Sequence, residues 1–187
     1  MTMLYDDMPV RRQLSRRAWG AIVHDTRGSP AIEFAIIAPI FIGLLLAIVQ
    51  ITLLFFAQQN LETVAENSVR KLMTGNAQQA NMTQAQFKNA VCADLPAFMK
   101  CANLMIDVRV ATSFSDVDTG SPTIIYDAGG KPTNLRFAPG GAGSIVVVKT
   151  MYVWDVAGGP LGFNISNMSN NRRLLIATSV FKTEQYA

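Results

Sequence analysis

The chain has 187 residues, half of them hydrophobic, with 16% charged residues and a formal net charge of +3. Soluble domains average about 25% charged residues, so part of this chain is not built for water. A single histidine, His24, and two cysteines leave too few ligands for a clustered zinc site or a histidine-dependent enzyme, so composition argues against catalysis, metals and cofactors alike.

The first 28 residues carry Arg11, Arg12, Arg16, Arg17 and Arg27 against Asp6, Asp7 and Asp25. From residue 29 onward, 11 Lys+Arg face 10 Asp+Glu, so the excess positive charge belongs to the N-terminus. Phe34 to Val49 then forms 16 unbroken apolar residues, and no charge occurs between Glu33 and Glu62. A helix over 34–57 is about 36 Å long at about 1.5 Å per residue, enough for a hydrocarbon core of about 30 Å. A buried core helix of this length would need a polar face. A cleaved signal peptide has a shorter apolar region and a small-x-small site, which residues 54–59 lack. A retained transmembrane helix is the reading that fits. The arginines orient it with the N-terminus in the cytoplasm and the rest outside, which in a diderm bacterium is the periplasm. The same arginines serve as a topology signal and give no reason to expect nucleic acid.

Beyond the apolar run, Leu61, Val64, Ala65, Ser68, Val69 and Leu72 recur at helical spacing. Glu66 and Arg70 are spaced for an i,i+4 pair, and Gly75 suits a helix end. One helix of about 40 residues is expected, apolar all round at first and one-faced later. Thr83-Gln-Ala-Gln86 reads as a capping box opening a short helix from Gln84 towards Ala93, with Leu95-Pro96 ending it. Strands are expected at 104–114, with Asp107 and Arg109 on the polar face, at 144–156 and at 174–181, with a short fourth at 123–126. The intervening loops, 127–143 and 157–171, are rich in Gly, Pro and Asn. Cys92 and Cys101 lie nine apart and suit a disulfide in an oxidising compartment; two free buried thiols are the alternative. The fold class is α+β: a long N-terminal helix, transmembrane in its first half, whose amphipathic second half packs on an antiparallel sheet of three or four strands.

The junction between arginines and apolar run reads Asp25-Thr-Arg-Gly-Ser-Pro-Ala-Ile-Glu-Phe34. An ionisable residue at the start of a membrane helix is a functional candidate; the alternative for Glu33 is a simple interaction with the helix dipole. A basic leader ending in Gly28, then Glu33-Phe34 and a long apolar helix, resembles the class III leaders of type IV pilins. More narrowly, Arg27-Gly-Ser-Pro-Ala-Ile-Glu-Phe-Ala-Ile-Ile-Ala-Pro-Ile40 is similar to the opening of TadE-like pseudopilins of the tight-adherence (Tad, Flp) pilus, including Pro39 six residues after Glu33. The ending Ala177-Thr-Ser-Val-Phe-Lys-Thr-Glu-Gln-Tyr186 also resembles the family's, with Gln185 where a Pro is usual. The resemblance covers 27–65 and the last ten residues.

This resemblance implies a pilin-like protein with three segments: a leader at 1–28, a transmembrane helix at 29–58 and an outer domain at 59–187. A prepilin peptidase would cut between Gly28 and Ser29, although Ser29-Pro30 departs from the small apolar residues common there. Glu33 would face a neighbour's freed amino group, and Phe34 and Pro39 would take part in subunit assembly. The partners implied are other pilins or pseudopilins, the prepilin peptidase, the inner-membrane assembly platform and the lipid bilayer, with no small-molecule substrate. The expected function is that of a minor pilin at the initiation complex or tip, supporting adhesion. The alternative is an uncleaved single-pass scaffold or adhesive module.

Overall fold

The computed structural model describes residues 29–159 and 162–185. The chain divides into two compact units, Met1–Leu45 and Leu46–Ala187. The described part of the first unit is the opening of helix α1, which covers Ser29–Met73. The second unit holds the remainder of α1, the helical turn α2 (Asn76–Gln79), helix α3 (Gln84–Cys92) and strands β1 (Leu104–Ala111), β2 (Ile145–Asp155) and β3 (Arg172–Lys182). The chain is α+β, with a three-stranded antiparallel sheet in the order β1-β2-β3.

The second half of α1 buries one stripe: Leu54, Ala57, Leu61, Val64, Ala65, Ser68 and Leu72. Their spacing of three and four residues is the helical period, and Glu62, Glu66 and Asn67 fall on the exposed side. The expected Glu66–Arg70 pair does not form; at an exposed site such a pair gains only about 0.2–0.5 kcal/mol, too little to hold two long side chains together. Gly75, at φ 76°, turns the chain out of α1, a conformation that glycine adopts without a Cβ clash. The capping box forms in both directions. Gln86 N–H donates to Thr83 Oγ1 at 3.3 Å, and Thr83 N–H donates to Gln86 Oε1 at 2.9 Å. Lys71 Nζ ties α1 to α3 through Asp94 at 2.8 Å and the Ala90 carbonyl at 2.9 Å. Just after α3, the structure joins Cys92 to Cys101, with their Cα atoms 5.4 Å apart.

One face of the sheet meets the α1 stripe. Leu104, Ile106 and Val108 of β1 lie opposite Tyr152, Thr150 and Val148 of β2, and these lie opposite Leu175, Ala177 and Ser179 of β3. The apolar residues among them form a single core with Phe87 and Val91 of α3. The expected fourth strand is absent as a strand. Around residues 123–126 there is one isolated bridge, Tyr126 to Pro132, because Asp127 and Gly130 close a tight local turn there.

The second face differs from the expectation of a solvated surface. Asp107 was assigned to the polar side, yet it is 3% exposed. Residues 112–138 cover it. Asp107 accepts from Arg136 N–H at 2.6 Å and from Arg109 Nε at 2.7 Å. Its cross-strand neighbour Lys149 is also buried, and donates to the Gly120 carbonyl at 2.8 Å and to Asp118 at 3.3 Å. The segment around Phe137 also bonds along the outer edge of β1, through Val108 N–H to the Arg136 carbonyl and Ala138 N–H to the Val108 carbonyl. That pairing blunts an edge otherwise open to foreign strands.

Two measurements follow from these contacts. Thr150 Oγ1 is fully buried on the core face and no protein group bonds it. An unsatisfied buried hydroxyl costs about 1–3 kcal/mol, so Thr150→Val is expected to raise stability by about 1 kcal/mol. Denaturant unfolding of the detergent-solubilised chain reads this; a lower midpoint would show that the hydroxyl is satisfied. The covering loop carries a pH dependence. Asp118 is held below the ordinary value of 3.8, first by the Gly120 N–H and then by Lys149. Asp116 is lowered by the Thr112 hydroxyl and then by Ser113. Both carboxylates are favoured when folded, so their contribution is complete above 3.8 and disappears as pH falls through the lowered folded values. Amide protection at residues 112–120 is expected to drop there before that of the strands; parallel loss in loop and strands would contradict this.

Candidate functional site: the apolar helix

In the first unit, residues 30–45 leave most of their apolar side chains open, including Ile32 at 63% and Phe34 at 71% exposed. In the second unit Leu46, Ile48, Val49 and Leu53 are exposed as well. Between Ile32 and Leu53 there are thirteen large exposed apolar side chains. Burying one such side chain fully is worth about 1.5–3 kcal/mol, so covering this half-shielded set is worth on the order of 20 kcal/mol. That exceeds the typical net stability of a domain, about 5–15 kcal/mol. The segment therefore requires an apolar surrounding. From Pro30 to Met73, α1 is long and apolar enough to cross a membrane, and one such helix fits a single-pass membrane protein.

Sequence makes this stretch helical despite Pro39. Ile, Ala and Leu dominate it, Ala and Leu being strong helix formers, and Pro30 sits at its start, where a missing N–H costs nothing. Pro39 lies inside the helix, which continues through it. Its ring removes the donor that would reach the Ala35 carbonyl, a local weak point in the hydrogen-bond ladder. Thr52 satisfies its hydroxyl internally on the Ile48 carbonyl at 2.9 Å.

The candidate residues fall as follows. Glu33 is the fifth residue of α1 and exposed, followed directly by exposed Phe34, with Pro39 nearly two turns on. Arg11, Arg12, Arg16, Arg17, Arg27 and Gly28 lie outside the described residues, as do His24 and Tyr186. Ser29 begins α1, so the Gly28–Ser29 junction directly precedes the helix. Cys92 and Cys101, in the second unit, close the loop after α3.

Sequence reasoning missed two features. The first is an open cleft of about 400 Å³ on the second face of the sheet, lined by Asp107, Arg109, Asp116, Asp118, Asn134 and Lys149. Its charges are engaged with one another, Arg109 with Asp107 at 2.7 Å and Lys149 with Asp118 at 3.3 Å, which suits an anchor for the covering loop. The available signal was Lys149 in the middle of an apolar strand. The second is an aromatic chain at one end of the sheet. Phe56 stacks on Phe98 at 5.3 Å, and Phe98 meets the edge of Trp154 at 6.4 Å. No sequence period links these three residues.

No curated protein and no solved structure matches this chain. Residues 28–70 match the family model described as TadE-like protein. That match begins at the Gly28 junction, takes in Glu33, Pro39 and the apolar segment, and ends within the buried stripe, so over these residues the chain is similar to TadE-like proteins, and the match supports a protein associated with the Tad pilus.

Proposed function

We propose that this protein is a minor pilin or pseudopilin of a Tad-type pilus, held in the inner membrane by α1 and drawn from there into the pilus as an initiation or tip component that supports adhesion. The observation that carries this reading is the exposed apolar segment after Gly28, within a TadE-like match. A helix that needs an apolar surrounding finds one first in lipid and then among the helices of neighbouring subunits. The arginines before it favour a cytoplasmic N-terminus; on this reading the sheet and the Cys92–Cys101 pair lie in the periplasm, where a disulfide persists.

On this reading a prepilin peptidase cleaves between Gly28 and Ser29. A protease must approach the backbone closely, and glycine presents no Cβ to obstruct it. The new Ser29 amino group then carries a positive charge into the membrane. Glu33 of a neighbouring subunit supplies the counter-charge, since a charge in lipid is tolerated when paired. Pro39 allows the helix to adjust as subunits pack.

Cleavage is tested by Gly28→Leu in cells that contain the peptidase. The leader is 28 of 187 residues in a chain of 20.4 kDa, so the variant is expected to run about 3 kDa above wild type. Equal mobility, with Met1 retained in wild type, would remove the pilin reading. The charge pair is tested separately by Glu33→Gln, scored for both processing and pilus number. Loss of one partner from a buried pair costs about 3–5 kcal/mol, against about 0.3–1 kcal/mol for a helix-dipole role. Processed protein without pili is the expected outcome. Processed protein with normal pili would return Glu33 to the helix dipole.

A further inference from the structure

We infer that the aromatic chain Phe56–Phe98–Trp154 is a lipid-interface anchor, which seats the outer domain against the headgroup region of the bilayer that α1 crosses. The inference rests on the membrane-spanning reading above and adds a second, peripheral contact of the domain with the same bilayer.

Depth along α1 is the first argument. The unbroken apolar run ends at Val49, and Gln50 is the first polar residue after it. Gln50 Nε2 donates to the Ala157 carbonyl at 3.4 Å, so the chain leaving β2 lies level with the end of the apolar run. Counted from Phe34 at about 1.5 Å per residue, a core of about 30 Å takes about 20 residues and ends near Leu53, so Phe56 lies about 4–5 Å beyond it along the axis. A bilayer of about 40–45 Å with a hydrocarbon core of about 30 Å leaves an interfacial layer of about 5–8 Å on each side. Helical side chains lean towards the N-terminus, so the rings of Phe55 and Phe56 point back into that layer.

Chemistry is the second argument. Phe55, Phe56 and Phe98 are 69%, 55% and 45% exposed, an unusual group of open rings on one end of a small domain. Trp154 is half-buried beside them, and buried Tyr152 lies 6.3 Å from it. Tryptophan and tyrosine are enriched where one end of a ring is apolar and the other wet, and the phenylalanine rings beside Trp154 add apolar area facing the acyl chains. The arrangement is built rather than incidental. The Cys92–Cys101 bond closes the loop that carries Phe98, and the Tyr152 hydroxyl accepts from the Lys100 N–H at 2.8 Å. Exposed Lys100, next in the chain after buried Met99, puts a cation at the level of the lipid phosphates.

The sequence has two tryptophans, Trp19 and Trp154, so Trp19→Phe leaves Trp154 as a single reporter in the full chain. The protein is reconstituted in phosphatidylcholine vesicles carrying bromine either near the headgroup or near the bilayer centre, and aqueous iodide is the third quencher. The expected result is loss of Trp154 emission with headgroup-proximal bromine, a smaller loss with central bromine, and little response to iodide. Quenching by iodide with no response to either bromolipid would overturn the anchor, since Trp154 would then face water. Silence to all three quenchers would overturn it equally, since the ring would be covered by protein. A companion chain with Trp19→Phe, Trp154→Phe and Phe41→Trp places the reporter in the middle of the apolar run. Central bromine is expected to quench it. If it does so while Trp154 stays silent, the anchor falls and the spanning helix stands; if it does not, the spanning reading falls and the anchor with it.

Discussion

A single helix has to satisfy two different surroundings. Up to Val49, α1 shows mostly apolar side chains; from Leu54 it buries one stripe, and beyond the exposed Phe55 and Phe56 it shows carboxylates and amides elsewhere. The hydrophobic effect is non-directional and scales with area, so the first pattern demands an apolar surrounding on all sides and the second demands a partner on one side only. The rest of the second unit answers that second demand. Three strands present Leu104, Ile106, Val108, Val146, Val148 and Leu175 to the stripe, and α3 adds Phe87 and Val91.

The sheet then has a second face to cover, and it does so by polar means. Residues 112–138 cross it as a chain with little regular structure, held by Asp107 and Lys149 from below. Both groups are buried, so each needs its partners: Asp107 has two donors, and Lys149 has a carbonyl and a carboxylate. A buried, bonded charge fixes the position of a loop more closely than apolar contact does, because hydrogen bonds are directional. The edges are managed too. Residues 136–138 lie along β1, and Gln58 of α1 reaches the Ile176 carbonyl on β3 at 3.1 Å.

The polar groups of the second unit thus serve to position chain rather than to fill the core. The charges of the cleft on the second face of the sheet anchor a loop, and the cysteines close another that brings Phe98 beside Phe56 and Trp154. Among the described residues, the open apolar groups include those of the bare part of α1 and the rings of Phe55, Phe56 and Phe98.

Much of this was legible from residue order, and the reason is local periodicity. The α1 stripe, the capping box at Thr83 and Gln86 and the three strands are each encoded in spacing over a few residues, which side-chain direction converts directly into a buried face. The apolar run and the Gly28 junction are local in the same sense. Tertiary structure alone decided where aperiodic chain would land. Asp107 looked like a solvated residue because strand alternation says which face a side chain occupies, not whether a loop thirty residues away will cover that face. Residues 123–126 have strand composition, yet they pair only at Tyr126 with Pro132, because their neighbours turn locally before reaching the sheet. The meeting of Phe56, Phe98 and Trp154 depends on three separate elements arriving at one end of the sheet, and no spacing within one segment records that. Sequence determined the elements and the helix's need for an apolar surrounding; packing between distant segments decided which polar groups were buried and which aromatic rings were gathered at the surface.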